Sequence, residues 1–327
     1  MAKTEAVLPS AHVRPVAAGG MPRHHMAIFL GLLLLGLVGP FVLYPVFLMK
    51  ILCFALFACA FNLLLGFGGL LSFGHAAYFG SASYVSAYAA KAWGLNPELA
   101  ILLGTAAAAF LGLVFGSLAI RRQGIYFAMV TLAFAQMVFF FSVQAPFTGG
   151  EDGIQSVPRG HLLGLFDLGP DRNLYFFVLA IVFGGLLVIY RIIHSPFGQV
   201  LKAIRDNEPR SVSLGYRVNQ YKLAVFVLSA ALAGLAGATK AIVFQLASLT
   251  DVYWTMSGEV VLMTLLGGMG TVFGPLVGAA IIVTMQNYLA TFGAWVTIIQ
   301  GIIFVVSVLL FRQGVVGVLA QWLKRPL

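Results

Sequence analysis

Polar residues in this chain collect between ten long apolar stretches. These run over about 27–46, 48–66, 71–90, 98–119, 124–144, 174–191, 221–244, 254–267, 275–291 and 294–311. Most are about 20 residues long, the length a helix needs to cross a bilayer. They are continuous and rich in Ala, Leu and Gly rather than alternating, which argues against the strands of a membrane barrel. The pattern predicts an all-α, polytopic helical membrane protein with about 10 transmembrane segments. The eighth stretch is short and ends at GGMGTVFGP.

Composition agrees: 61% of the 327 residues are hydrophobic and 9% charged, with a mean hydropathy of +0.98. A soluble core needs far less apolar surface. The net charge of +9 raises the question of nucleic acid. Outside the apolar runs there is no basic stripe with interleaved aromatics, so a nucleic-acid partner is not expected. The charge reads instead as the cytoplasmic excess of Lys and Arg found in membrane proteins. With the N-terminus inside and ten crossings, fourteen of the 19 Lys and Arg fall on the inner side. Among them are Arg121, Arg122, Lys202, Arg205, Arg210, Arg217 and Lys222. Both termini are therefore expected to be cytoplasmic. Residues 1–26 read as a disordered cytoplasmic tail, 27–311 as the transmembrane domain and 312–327 as a second cytoplasmic tail.

Two connections are long, an outer loop over 145–173 and an inner loop over 192–220. The inner one contains AIRDNEPRSVSLGYRVNQYKL, Ala203 to Leu223, where charges crowd into an otherwise apolar chain. Pro196 and Pro209 divide it into helical pieces, and Pro209 suits the first turn of a new helix. Asp206, Asn207 and Glu208 place negative and capping groups at that helix's N-terminus. Gly215 is positioned to stop it. The loop predicts a helix of about six residues on the cytoplasmic face. It reads either as a solvated connector or as a lever that a soluble partner grips.

Within the apolar stretches, polar residues are costly and usually face protein or a cavity. Asn62, Ser72, His75, Tyr78, Ser81 and Ser83 cluster around Gly66, Gly68, Gly69 and Gly74. A second glycine break runs from Gly267, Gly268 and Gly270 to Gly274 and Pro275. Broken helices of this kind line solute sites in secondary transporters; close packing by small residues is the other reading. Gly112 and Gly116 form a packing pair of the same sort. Asn62, Ser72, His75, Tyr78, Gly267, Gly268 and Gly270 are the candidate translocation-path residues. Lys240 and Asp251 are expected to pair across the outer ends of their spans as an exposed ion pair of little weight. Glu259 reads as an anchor to a neighbouring helix.

Catalytic chemistry has no foothold. GLAGATK, Gly234 to Lys240, lacks the glycine before lysine and the preceding strand of a phosphate loop. No HExxH or GxSxG is present, and Cys53 and Cys59 lie six apart inside an apolar run. No catalytic residue, metal or cofactor is expected.

The stretch from Ala203 to Ala238 resembles the permeases of branched-chain amino acid ABC importers. The matching positions are Ala203, Arg205, Asn207, Glu208, Leu214, Gly215, Tyr221 and Lys222, followed by the Ala/Gly helix Ser229–Ala238. NLLLGFGGLLSFGHAAYFG from Asn62, TGGEDGI from Thr148, and GEVVLMTLLGGMGTVFGPLVGA from Gly258 are similar to three further motifs of that family, in the same order. The resemblance covers about residues 45–310 and is to the larger of the two paired permeases. It implies a type II importer arrangement in a bacterial inner membrane. It also implies a paralogous permease partner, two ATPase subunits and an extracytoplasmic solute-binding protein. By the same resemblance Arg205, Asp206, Asn207, Glu208, Arg210, Ser211, Leu214 and Gly215 form the ATPase-coupling loop. Relatives carry leucine, isoleucine and valine, or urea, short amides and aromatic acids. A stand-alone secondary transporter or channel is the rival class. It would need mid-membrane carboxylates, and only Glu259 comes near.

Overall fold

A computed structural model of the chain describes residues 23–162, 164, 166–290, 295, 298, 299, 301, 302, 305 and 314–323. Among the described residues, eleven helices run in order: α1 Arg23–Val42, α2 Pro45–Asn62, α3 His75–Ala92, α4 Pro97–Ala119, α5 Ile125–Gln144, α6 Asp171–His194, α7 Pro196–Asp206, α8 Glu208–Ser213, α9 Val218–Phe244, α10 Trp254–Gly267 and α11 Gly274–Leu289. A further helix, Gly314–Leu323, lies in the segment read as the C-terminal tail. Nine of the ten expected apolar segments thus coincide with helices. The tenth, 294–311, and most of the N-terminal tail lie outside the described residues. Arg23, His24 and His25, assigned to the tail, belong to α1.

Proline sets several of these starts. Pro45, Pro97, Pro196, Pro209 and Pro275 all sit in the first turn of a helix, where the missing N–H has no intrahelical partner to lose. Six helices are long and apolar enough to cross a membrane: α1, α2 with its extension, α4, α5, α6 and α9. Their outward faces carry large apolar side chains, such as Leu35 at 71% exposure, Phe110 and Phe140. Hydrocarbon, not water, is the solvent such a surface requires. The three remaining helices on apolar segments fail for identifiable reasons. α10 and α11 have 14 and 16 residues, about 21 and 24 Å of helix. α3 is rich in Ser, Tyr and Ala and is wrapped by protein, packing against α4 and α9.

That central trio is held by small residues. Gly112 of α4 faces Ala230 of α9, and an added Cβ would stand 2.5 Å from the alanine methyl. Gly237 of α9 rests directly on the Phe79 backbone of α3. Without such residues the helix axes could not approach so closely. α2 runs beside α6, α9 and α11 and is the most enclosed of the outer set.

The loop between α5 and α6 is folded, which hydropathy did not announce. β1 Ile154–Gln155 pairs antiparallel with β4 Leu246–Ala247, with Ile154 opposite Ala247. β2 His161–Leu162 pairs with β3 Phe166–Asp167. Arg159 ties the loop down, donating to Asp171 at 2.6 Å and to the carbonyls of Gly169 and Val243 at 3.0 and 3.3 Å.

One expectation is corrected here. Lys240 and Asp251 do pair, but the pair is buried, with 11% and 2% side-chain exposure. Gln245 takes a left-handed conformation at the end of α9. The chain then turns back through β4 and the turn Leu249–Asp251, carrying Asp251 inward instead of leaving it at the rim.

Candidate coupling and translocation site

α7 is amphipathic. Leu201 and Ile204 are buried, while Ala203, Arg205 and Asp206 face outward. Ser195 caps its start, accepting from the Gly198 N–H at 3.3 Å. At Asn207 the chain becomes extended, and the Asn207 side chain accepts from the Arg210 N–H at 3.0 Å, capping α8. An amide cap of this type fixes where a short helix begins. Ser211 is buried and donates back to the Asn207 carbonyl at 3.1 Å. α8 closes as the Gly215 N–H donates to Val212 at 2.9 Å, with Gly215 at φ +87°, a conformation other residues rarely adopt. The helix of about six residues expected between Pro209 and Gly215 is therefore present as Glu208–Ser213, beginning one residue before Pro209. Val212 and Leu214 are exposed apolar residues on it, beside exposed Arg210.

Glu208 braces α8. It pairs with Lys222 of α9 at 2.8 Å and accepts from Gln123, in the turn between α4 and α5, at 3.2 Å. One carboxylate thus ties α8 to α9 and to the α4–α5 turn. Lys202 of α7 lies over the ring of Phe67, 5.6 Å from its centroid. Burial, then the neighbouring Arg205 charge, holds its ammonium below the usual lysine range. Arg205 donates through Nη1 to the Gly66 carbonyl, and its Nε and Nη2 reach Asp206 at 3.1 and 2.9 Å.

The membrane set is buried: Asn62, Ser72, His75 and Tyr78 are all closed to solvent. Asn62 donates to the Thr271 carbonyl at 2.8 Å and accepts from the Gly270 N–H at 3.0 Å. Ser72 accepts from the Gly74 N–H at 3.2 Å within its own turn. His75 meets Ser229 at 2.8 Å, and Ser229 donates to the Ala60 carbonyl at 2.6 Å. Ser229 thereby spends its proton on Ala60, so His75 donates through Nε2. Tyr78 packs among His75, Phe115 and Phe226. Gly267 contacts the backbone of Gly274, and Gly268 and Gly270 have φ +122° and +74°. Asn62 and Gly270 meet beside Arg205, while Gly267 packs on Gly274 in the same glycine break; His75 and Tyr78 form a separate group between α2, α3 and α9. Glu259 of α10 lies near Gln286 of α11 and Lys50 of α2.

A cavity of about 420 Å³ opens elsewhere, between α3, α4 and α5, lined by Ser81, Tyr84, Leu111, Phe115, Met137 and Phe141 among others. None of the seven candidate path residues lines it. Cys53 and Cys59 are buried free thiols. Sequence reasoning missed the contacts of Glu208 with Lys222 and Gln123 and that of Arg205 with Gly66. The only advance signal was the density of charge between two apolar runs.

Long apolar helices, small-residue packing and two glycine breaks beside a braced polar helix define a multi-pass helical membrane protein. Residues 44–308 match the family described as the permease component of the branched-chain amino acid transport system, and the chain belongs to that family. It is 29% identical over 240 residues to the high-affinity branched-chain amino acid transport system permease protein LivM of Escherichia coli K12, covering 66% of this chain and 56% of that protein. The LivM protein of Salmonella typhimurium is 28% identical over 255 residues, covering 71% and 60%. The ribose import permease protein RbsC of Bacillus subtilis is 29% identical over 235 residues, covering 67% and 70%. The chain spans little more than half the length of the two LivM proteins. No solved structure matches.

Proposed function

We propose that this chain is the larger permease subunit of an ATP-binding-cassette importer for branched-chain amino acids. The observation that carries the reading is the family match over residues 44–308. A short exposed helix, α8, rigidly tied to α4–α5 and α9 by Glu208, supports it. In this reading the chain forms half of the translocation path with a paralogous permease. ATPase subunits dock below on the loop around α8, Glu208–Gly215, and a solute-binding protein delivers solute at the outer loop. ATPase closure moves α7 and α8, and the spans alternate between outward and inward access. The chain crosses a bacterial inner membrane about ten times in a type II arrangement, with both termini in the cytoplasm. Contacts support the alternation of sides: Gln123 meets Glu208 and Gly66 meets Arg205, while Lys91 donates to the Gln155 carbonyl at 2.7 Å in the other group of turns.

The LivM relatives favour leucine, isoleucine and valine, and the ribose permease favours a sugar as the second reading. Purification of the tagged chain from its own host tests the machinery. An ATPase subunit is expected to accompany it and to be lost on Glu208→Lys or on deletion of 208–214. Uptake assays with branched-chain amino acids, ribose, urea, short amides and aromatic acids then separate the solutes. Gradient-driven uptake by the chain alone, with no ATPase, refutes the reading.

A further inference from the structure

α2 does not end cleanly. It passes into a π turn, Leu63–Phe67, before the chain breaks at Gly68. Such a turn, and the helix end behind it, leaves carbonyls without intrahelical partners. The Gly66 carbonyl is taken by Arg205, 139 residues away. Just before that turn, Asn62 at the end of α2 reaches across to both Gly270 and Thr271 in the connection between α10 and α11. Arg205, Gly66, Asn62 and Gly270 therefore form one continuous run of contacts, from α7 to both glycine breaks.

The approach is tight. A Cβ on Gly66 would collide with the Asn62 side chain and the Gly270 N–H, and one on Gly69 would stand 2.8 Å from Arg205 Cγ. Arg205 is oriented from its own helix end, because Asp206 holds Nε and Nη2 and leaves Nη1 for Gly66. Asp206 is the last residue of α7, next to the extended Asn207 that leads into α8. The guanidinium stays charged and its fork is planar, so the contact keeps a fixed direction as α7 moves.

We infer that Arg205 is a positioning residue that carries motion of α7 and α8 to the two glycine breaks together, rather than a contact for the ATPase. The inference rests on the proposed coupling role of this loop. One displacement of α7 then pulls the π turn of α2 and, through Asn62, the turn before α11. Two breaks far apart in sequence respond as one element, which a bistable gate needs if one input is to move it.

The test uses the whole complex, this chain with its co-purifying permease and ATPase subunits reconstituted in vesicles and supplied with the solute-binding protein, and reads solute transported per ATP hydrolysed. Arg205 is 37% exposed, so the space its truncation leaves opens to solvent. Arg205→Ala is expected to assemble with the ATPase but to move about tenfold less solute per ATP, with the KM for solute unchanged. Arg205→Lys, which keeps one donor and the charge, is expected to recover part of the loss. A merely structural role would lower assembly and transport together and leave their ratio intact. Parental stoichiometry in Arg205→Ala overturns the inference, and so does loss of ATPase binding in that variant. Absence of any ATPase with the parent chain overturns the underlying reading, and the inference with it.

Discussion

The buried pair of Lys240 and Asp251 offers the sharpest test of the packing. The ammonium lies 2.6 Å from both carboxylate oxygens and 5.8 Å from the centroid of the Phe244 ring. With 11% and 2% exposure, neither side chain has water to fall back on. Lys240→Met leaves the carboxylate of Asp251 buried without its counter-charge, and Asp251→Leu does the reverse. Removing one member of such a pair costs about 3–5 kcal/mol, roughly a hundredfold to a few thousandfold in the folding equilibrium. Replacing both by apolar residues of similar volume removes the desolvation cost as well, so the double variant loses far less. The assay is the fraction of monodisperse protein surviving a temperature series in detergent, for the parent, both single variants and the double. The expected pattern is two destabilised singles and a double closer to the parent, a strongly non-additive cycle. Singles that survive like the parent, or additive losses in the double, refute the buried-pair reasoning and restore the exposed pair that hydropathy predicts.

Two further outcomes follow from the site and the core. Gly215→Pro removes the N–H that bonds Val212 and imposes a φ near −65° where the chain has +87°. Uptake is expected to be lost and ATP hydrolysis to continue without transport, while membrane insertion measured by fractionation is unchanged. Gly112→Leu drives four carbons into Ala230, at about 1–3 kcal/mol or more for overpacking, so the thermal midpoint is expected to fall. A midpoint equal to the parent's places α4 and α9 further apart than described.

Much of the arrangement was legible before any coordinates. Apolar runs of fixed length specify helices because a bilayer offers no partner for an open backbone. Pro196, Pro209 and Gly215 punctuate the inner loop by local rules, since each constrains only its own φ or N–H. For that reason the break at Pro196 and the short helix α8 were legible in advance. The two glycine breaks were legible on the same grounds. Their use was not: Asn62 as a staple between breaks 208 residues apart leaves no trace in any local window.

The outer loop shows the same division. Thr148–Ile154 stood out as a polar, glycine-rich motif, yet its pairing with Leu246–Ala247 depends on where α9 ends. Gln245 turns the chain back there, and that single turn converts Asp251 from a rim residue into a buried one. The amino-acid order determined the class of protein, the sites of its helices and the polar hinge between α6 and α9, because each follows from the chain's interaction with solvent and with its immediate neighbours. Tertiary structure alone decided which charges are buried together and which carbonyl Arg205 holds, because those choices depend on how close separate helices come in space.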